Sequence, residues 1–253
     1  MKLNCDLGES FGSWTMGLDE QVMPHIDQAN IACGFHAGDP LIIQKTLLLA
    51  KQQQVSVGAH PSYPDLVGFG RRSLNCTEQE INAFILYQIA ALDGMAKAEG
   101  LELSYVKPHG ALYNDMMKNA TIRIAIIKAV SQYQKARQKT NKNSILKLMI
   151  QATPQFNQHQ QEALAYDVEL LAEAFADRCY DDDGSLLSRQ KAEAVHSTEN
   201  TLKQVKQLCE QGTITTISGK VLTLKVDSIC VHGDNLAGVA AITDIKALIA
   251  QVK

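Results

Sequence analysis

Residues 30–39 read NIACGFHAGD. The run starts small and apolar, then ends in Gly34, His36, Gly38 and Asp39 immediately before Pro40. A strand with no polar face is one covered on both sides, as in a parallel sheet. Asp-Pro behind it is the cap and first turn of a helix, and Ile42, Ile43, Leu47 and Ala50 then fall on roughly one helical face. Ten residues therefore describe a buried strand, a turn carrying polar side chains, and the start of a crossover helix.

The same grammar recurs along the chain. KLNCD, VSVGAH, LSYVKPH, KLMIQA, ELLAEAF and DSICVHG are further strand-length apolar runs. Helices separate them: TEQE at 77–80 has capping-box spacing ahead of Ile81, Ile85, Ile89 and Leu92, another helix runs through TIRIAIIKAV, and TENTLKQVKQLCEQ stops at Gly212. Strand and helix alternate about seven times without a Pro/Gly-rich linker or an internal repeat. This predicts parallel βαβ units in one continuous sheet or barrel, a single α/β domain over 1–253. KARQKTNKNS reads as a solvated connection, and GKVLTLKVDS as an extra hairpin-like piece before the last strand.

Composition narrows the function classes. With 45% hydrophobic and 20% charged residues and a net charge of −3, the 253-residue chain has no basic face for nucleic acid. Its longest apolar runs fall short of the ~20 residues needed to cross a bilayer. The N-terminus MKLNCDLGES has no apolar signal region, so the expected location is the cytoplasm. Six cysteines without CxxC spacing read as buried thiols rather than a metal knuckle or redox pair.

The strand ends carry the chemistry. In parallel α/β folds the C-terminal ends of all strands open on one face, so residues far apart in sequence converge there. The ends here are NCDLGE (Asp6, Glu9), ACGFHAGD (His36, Asp39), GAHPSYPD (His60), KPHGALYN (Lys107, His109, Tyr113, Asn114) and ICVHGD (His232, Asp234). One such histidine is usually structural, but four at equivalent positions with Asp6 at a fifth define a site. Asp6, His36, His60 and His109 are the expected catalytic group, with Glu9, His232 and Asp234 around it. Asp39 is as well explained as a helix cap. Glycines 34, 38, 58, 110 and 233 suit turns or close approach to a ligand. GFGRR at 68–72 offers Arg71 and Arg72 to an anion, and EAFADRCYDDDGSLLSR at 173–189 adds Arg178; both loops are expected to border the site.

Taken together, NCDLGE, NIACGFHAGD, GAHPSYPDLVGFGRR, KPHGALYN, EAFADRCYDDDGSLLSR and VHGD, in this order, resemble the LamB/YcsF family over nearly the whole chain. The resemblance implies a distorted seven-stranded β/α barrel of the glycoside hydrolase/deacetylase type. It also implies cleavage of 5-oxoproline to glutamate, coupled to ATP hydrolysis with Mg2+, in a complex with two companion subunits. Phosphorylating the lactam oxygen would activate a stable amide towards water; an acid, a base and anion-holding cations are then needed, the last role suiting Arg71, Arg72, Lys107 and Arg178. No GxxxxGK[ST] loop is present, so a nucleotide site would be unusual or shared. Related deacetylase barrels hold a divalent ion with an Asp and two His, here Asp6, His36 and His60, although an ATP-activated lactam needs less Lewis-acid help. Two rival readings remain: a stand-alone metal-dependent deacetylase or amidase, and a non-catalytic subunit that only presents a lactam.

Overall fold

The computed structural model describes residues 1–189, 191–232 and 236–251. Seven parallel strands close into a barrel: β1 (Lys2–Leu7), β2 (Gln28–Ala32), β3 (Ser56–His60), β4 (Leu103–Val106), β5 (Lys147–Gln151), β6 (Leu170–Phe175) and, after a two-stranded antiparallel hairpin of β7 (Thr213–Thr215) and β8 (Val221–Thr223), β9 (Ser228–Val231). Strand β9 pairs with both β1 and β6 and so completes the ring. All seven strand expectations fall on barrel strands, and GKVLTLKVDS contributes β8 of the hairpin.

Helices cover the outside: α1 (Asp19–Val22), α2 (Pro40–Gln52), α3 (Glu78–Ala98), α4 (Gly110–Lys118), α5 (Ala120–Gln138), α6 (Phe156–Leu164), α7 (Thr198–Gln211) and α8 (Leu236–Gln251). Asp39 caps α2 by accepting from the Leu41 and Ile42 amides, Thr77 and Glu80 form the reciprocal capping box of α3, and Gly212 ends α7 in the left-handed conformation. One buried apolar cluster joins the outer faces of the strands (Leu3, Cys5, Ile31, Val57, Val106, Leu148, Ile229) to the helices (Leu47, Ile85, Ile126, Leu208, Ile245). KARQKTNKNS is largely exposed, as its solvated reading expects, although its first four residues close α5 and are not part of a connection. Its Arg137 is buried, donates to the Leu103 carbonyl at 2.9 Å, and ties α5 to the start of β4.

The inside of the barrel is polar. Asn4 donates to Ser228 Oγ at 2.8 Å, Ser228 to Gln28 Oε1 at 2.8 Å, and Asn30 to Asn4 Oδ1 at 2.8 Å. The Tyr105 hydroxyl donates to Asn30 Oδ1 at 2.7 Å. Its ring fits only because β3 carries Gly58 opposite, where a Cβ would lie 2.2 Å from a Tyr105 ring carbon. Buried polar groups survive folding when they satisfy one another, and this plug forms the base on which the rim chemistry stands.

Candidate active site at the C-terminal rim

Asp6, at the end of β1, has every oxygen engaged. Its Oδ1 accepts from Lys107 Nζ at 2.7 Å and from Asn30 Nδ2 at 2.7 Å, while Oδ2 lies 3.3 Å from His60 Nε2. Burial alone would raise its pKa, but the His60 and Lys107 charges outweigh that and hold it well below the usual carboxylate range. Lys107 bridges to a second carboxylate, Glu173 Oε1, at 2.9 Å, and Glu173 Oε2 accepts from the Tyr113 hydroxyl at 2.8 Å. Burial opposes the Lys107 charge, yet its anionic neighbours push its pKa well above the ordinary lysine value. Lys107 is thus a fixed ammonium between two carboxylates.

The histidines pack beside this ion cluster. His60 Nδ1 donates to the Lys107 carbonyl at 2.7 Å, and His109 Nε2 donates to the Phe69 carbonyl at 2.9 Å. A carbonyl only accepts, which fixes a proton on each of those nitrogens. The two remaining nitrogens, His60 Nε2 and His109 Nδ1, face each other at 2.9 Å and need one further proton between them. With that proton the pair would carry one positive charge, set against Asp6. His109 is a poor home for that charge, because burial and the neighbouring His36 and His60 hold its pKa well below the usual imidazole value. His36 stacks on His109 with ring centroids 3.7 Å apart and planes 5° from parallel, and contacts Glu9 Oε1 at 3.1 Å. Burial likewise holds its pKa far down, so it is neutral.

A cavity of about 770 Å³ opens above, lined by Asp6, Glu9, His60, Lys107, His109 and Tyr113 on the floor. Phe69 and Gly70 lie over the histidines; the Phe69 ring meets His36 and His109 edge-on, and the Gly70 carbonyl accepts from the Ala111 amide at the start of α4. The loop from β6 supplies Arg178, Asp183 and Ser185 to Arg189 on the other wall.

Of the sequence-derived candidates, Asp6, Glu9, His60, His109, Lys107, Tyr113, Asn114, Arg71, Arg178 and His232 line this cavity. His36 sits behind His109 rather than on the wall. His232 Nδ1 contacts Asp177 at 3.0 Å and its ring stacks on Phe175. Two candidates fall elsewhere. Arg72 is forked onto Asp65, with Nε 3.1 Å from both carboxylate oxygens, and Asp39 is used by α2 and by the Gly12 amide at 2.8 Å. Asp234 and Gly233 lie outside the described residues. Glu173 and Asp177, legible in the sequence only as part of a bordering loop, hold Lys107 and His232; a carboxylate at the end of ELLAEAF is the available signal.

Glu9, His36, His60 and His109 bring donor atoms within 4.8 Å of one another, as do Asp6, Cys230 and His232. Neither group fits a tightly held metal as arranged. A metal lies in the plane of each imidazole that binds it, and the parallel His36 and His109 rings share no such plane. The remaining nitrogens of His60 and His109 are turned on each other at 2.9 Å, and Cys230 Sγ lies 3.2 Å from the Lys107 ammonium. The set expected from related barrels is also divided: Asp6 contacts His60, whereas His36 contacts Glu9.

A closed parallel β/α barrel with polar side chains gathered at the C-terminal strand ends belongs to the barrels that work at that rim. Within that class the chain belongs to the LamB/YcsF family, whose model matches residues 1–253. It is 51% identical over 245 residues to a protein of Pseudomonas fluorescens named as a 5-oxoprolinase subunit, covering 96% of this chain and 94% of that one. A Vibrio vulnificus protein of the same name is 50% identical over 252 residues, covering 99% and 97%. A crystal structure of a lactam utilization protein from Thermus thermophilus superposes with a TM-score of 0.84 at 33% identity, covering all of this chain and 95% of that one.

Proposed function

We propose that this chain is one component of an ATP-dependent 5-oxoprolinase, opening the five-membered lactam to glutamate together with two companion subunits. The observation that carries the reading is the near-full-length similarity to proteins named for that enzyme; a floor able to move protons beside an amide supports it. Once the lactam oxygen is phosphorylated, with Mg2+ accompanying ATP, water adds to the activated carbon. The ring nitrogen then takes a proton and leaves, and a second water releases phosphate from the acyl phosphate. Asp6, clamped by three donors, orients His60 and balances its charge instead of acting as base. The proton shared by His60 and His109 is the one available to the leaving nitrogen. No step calls for a resident metal.

Glutamate release from 5-oxoproline and ATP tests this. The isolated chain is expected to show negligible release, and mixing with both companion subunits to restore it. Amide cleavage by the chain alone without ATP would favour the deacetylase reading. Turnover in the mixture that ignores loss of His60 and His109 would favour a purely presenting role.

A further inference from the structure

Among the described residues the floor's ammonium is already committed, Lys107 being held by Asp6 and Glu173; Arg72 is held by Asp65 away from the cavity, and Arg71 lies over the Phe69 ring. Arg178 is different. It is only 6% exposed, yet it lines the cavity. Nε donates to the Ala194 carbonyl at 3.2 Å and Nη2 to the Leu187 carbonyl at 2.6 Å. A guanidinium has five N–H groups, so three remain, and no carboxylate stands within ion-pair distance among the described residues. Asp177, its neighbour in sequence, is turned to His232. A buried charge without a direct ion pair is costly even with Asp177 nearby, and the cost falls when an anion arrives.

The loop that Arg178 braces carries Arg189 to the same cavity, and Lys118 reaches it from the end of α4. Both guanidiniums line the one cavity, and burial, then the Arg189 charge, lower the Arg178 pKa to about 10 against the opposing charge of Asp177. Asp183 is the rim carboxylate, and its Oδ1 accepts from the Ser185 amide at 2.8 Å. The rim is therefore positive in a chain of net charge −3. The cavity, about 770 Å³, is the size that holds a drug-sized ligand, well beyond one small lactam.

We propose that Arg178 and Arg189, assisted by Lys118, form an oxyanion subsite at the rim that takes a phosphoryl group. A phosphate dianion answers two guanidiniums and accepts forked hydrogen bonds from each, whereas a single carboxylate leaves one positive charge uncompensated. Only the identity of the phosphoryl carrier, the activated lactam, rests on the function proposed above. The subsite makes Arg178 more than a loop brace and gives the exposed Arg189 a role.

Inorganic phosphate titrated into the full chain at low ionic strength, followed by calorimetry and by 31P line width, tests the subsite. Saturable binding is expected, weakened about tenfold in R189Q, where one charge-assisted hydrogen-bond partner is lost, and abolished in R178M. Thermal melting checks that each variant folds. Should R178M not fold, R178K keeps the charge but loses the fork, and is expected to bind more weakly than wild type. Acetate should compete poorly. Absence of saturation in wild type, phosphate binding unchanged in R189Q, or acetate binding as well as phosphate would each overturn the subsite. Turnover of 5-oxoproline by the mixed subunits together with any of these results would remove the rim subsite alone. Arginine-dependent phosphate binding without such turnover would keep the subsite and remove the reaction assignment.

Discussion

A proton held between His60 Nε2 and His109 Nδ1 can be given up while both carbonyl contacts, made by the other two nitrogens, stay in place. Replacing either by Ala should lower turnover of the assembled enzyme by about 10²–10⁴-fold, the range of a lost acid–base group, while leaving a cooperative melting transition. Near-normal rates in both folded variants would show that the pair is scenery. His36 and His109 also set a pH limit on stability, because their folded pKa values lie below the unfolded ones. Above the ordinary imidazole range both states are neutral there. As pH falls through that range the unfolded chain takes up protons that the folded chain refuses, so stability drops by up to about 1.4 kcal/mol per pH unit for each. Denaturant melts between pH 8 and 5 should show that decline, reduced in His36→Gln; a flat profile would mean that both rings protonate in place. Elemental analysis is expected to find no stoichiometric transition metal, since the stacked rings share no ligating plane. Stoichiometric metal lost together with activity on chelation would reverse that.

Among the elements, the loop at 65–72 joins the sequence motif most directly to the chemistry. Gly70 has φ +61°, and a Cβ there would lie 2.8 Å from both His109 Cδ2 and His36 Cβ. Gly70→Ala should therefore cost about 1–2 kcal/mol of backbone strain and, by lifting the Phe69 carbonyl from His109, lower turnover by more than its loss of stability explains. Parallel loss of both, with the histidine pair undisturbed in imidazole NMR spectra, would argue against this coupling. The seven strands and helices α2, α3, α5 and α7 are legible in the sequence because their apolar runs and caps are local signals. Helix α4 is not, because it begins at Gly110 directly after His109 and reads as a turn. Helix α6, FNQHQQEAL, shows too few apolar residues to reveal a period. Arg72 escapes a sequence reading for a similar reason: nothing in GFGRR says that Asp65, seven residues earlier, folds back to claim it.

For the molecule as a whole, alternation is inverted, with Leu3, Cys5 and Leu7 outward under helices and Asn4 and Asp6 inward. Covered strands are legible as a class, but which polar residue meets which depends on barrel register. Asp6 stands beside Asn30, and Asn30 beside Gly58. That is why the convergence of the histidines can be read from strand ends while the hold of Glu173 on Lys107 cannot. The register also explains what closure demands during synthesis. Lys2 pairs with Ser228, and Glu173 with the same residue from the other side. Until the ribosome has released the segment around Ser228, the first and sixth strands each present a bare hydrogen-bonding edge to the cell. Nascent chains stalled near residue 220 should thus be protease-sensitive and bound by chaperones, and should gain protection abruptly once the last strand emerges; gradual protection from residue 180 onward would contradict this. The fold's final four-residue strand works as a latch, and the crowded interval before it shuts is where this chain is most exposed to aggregation.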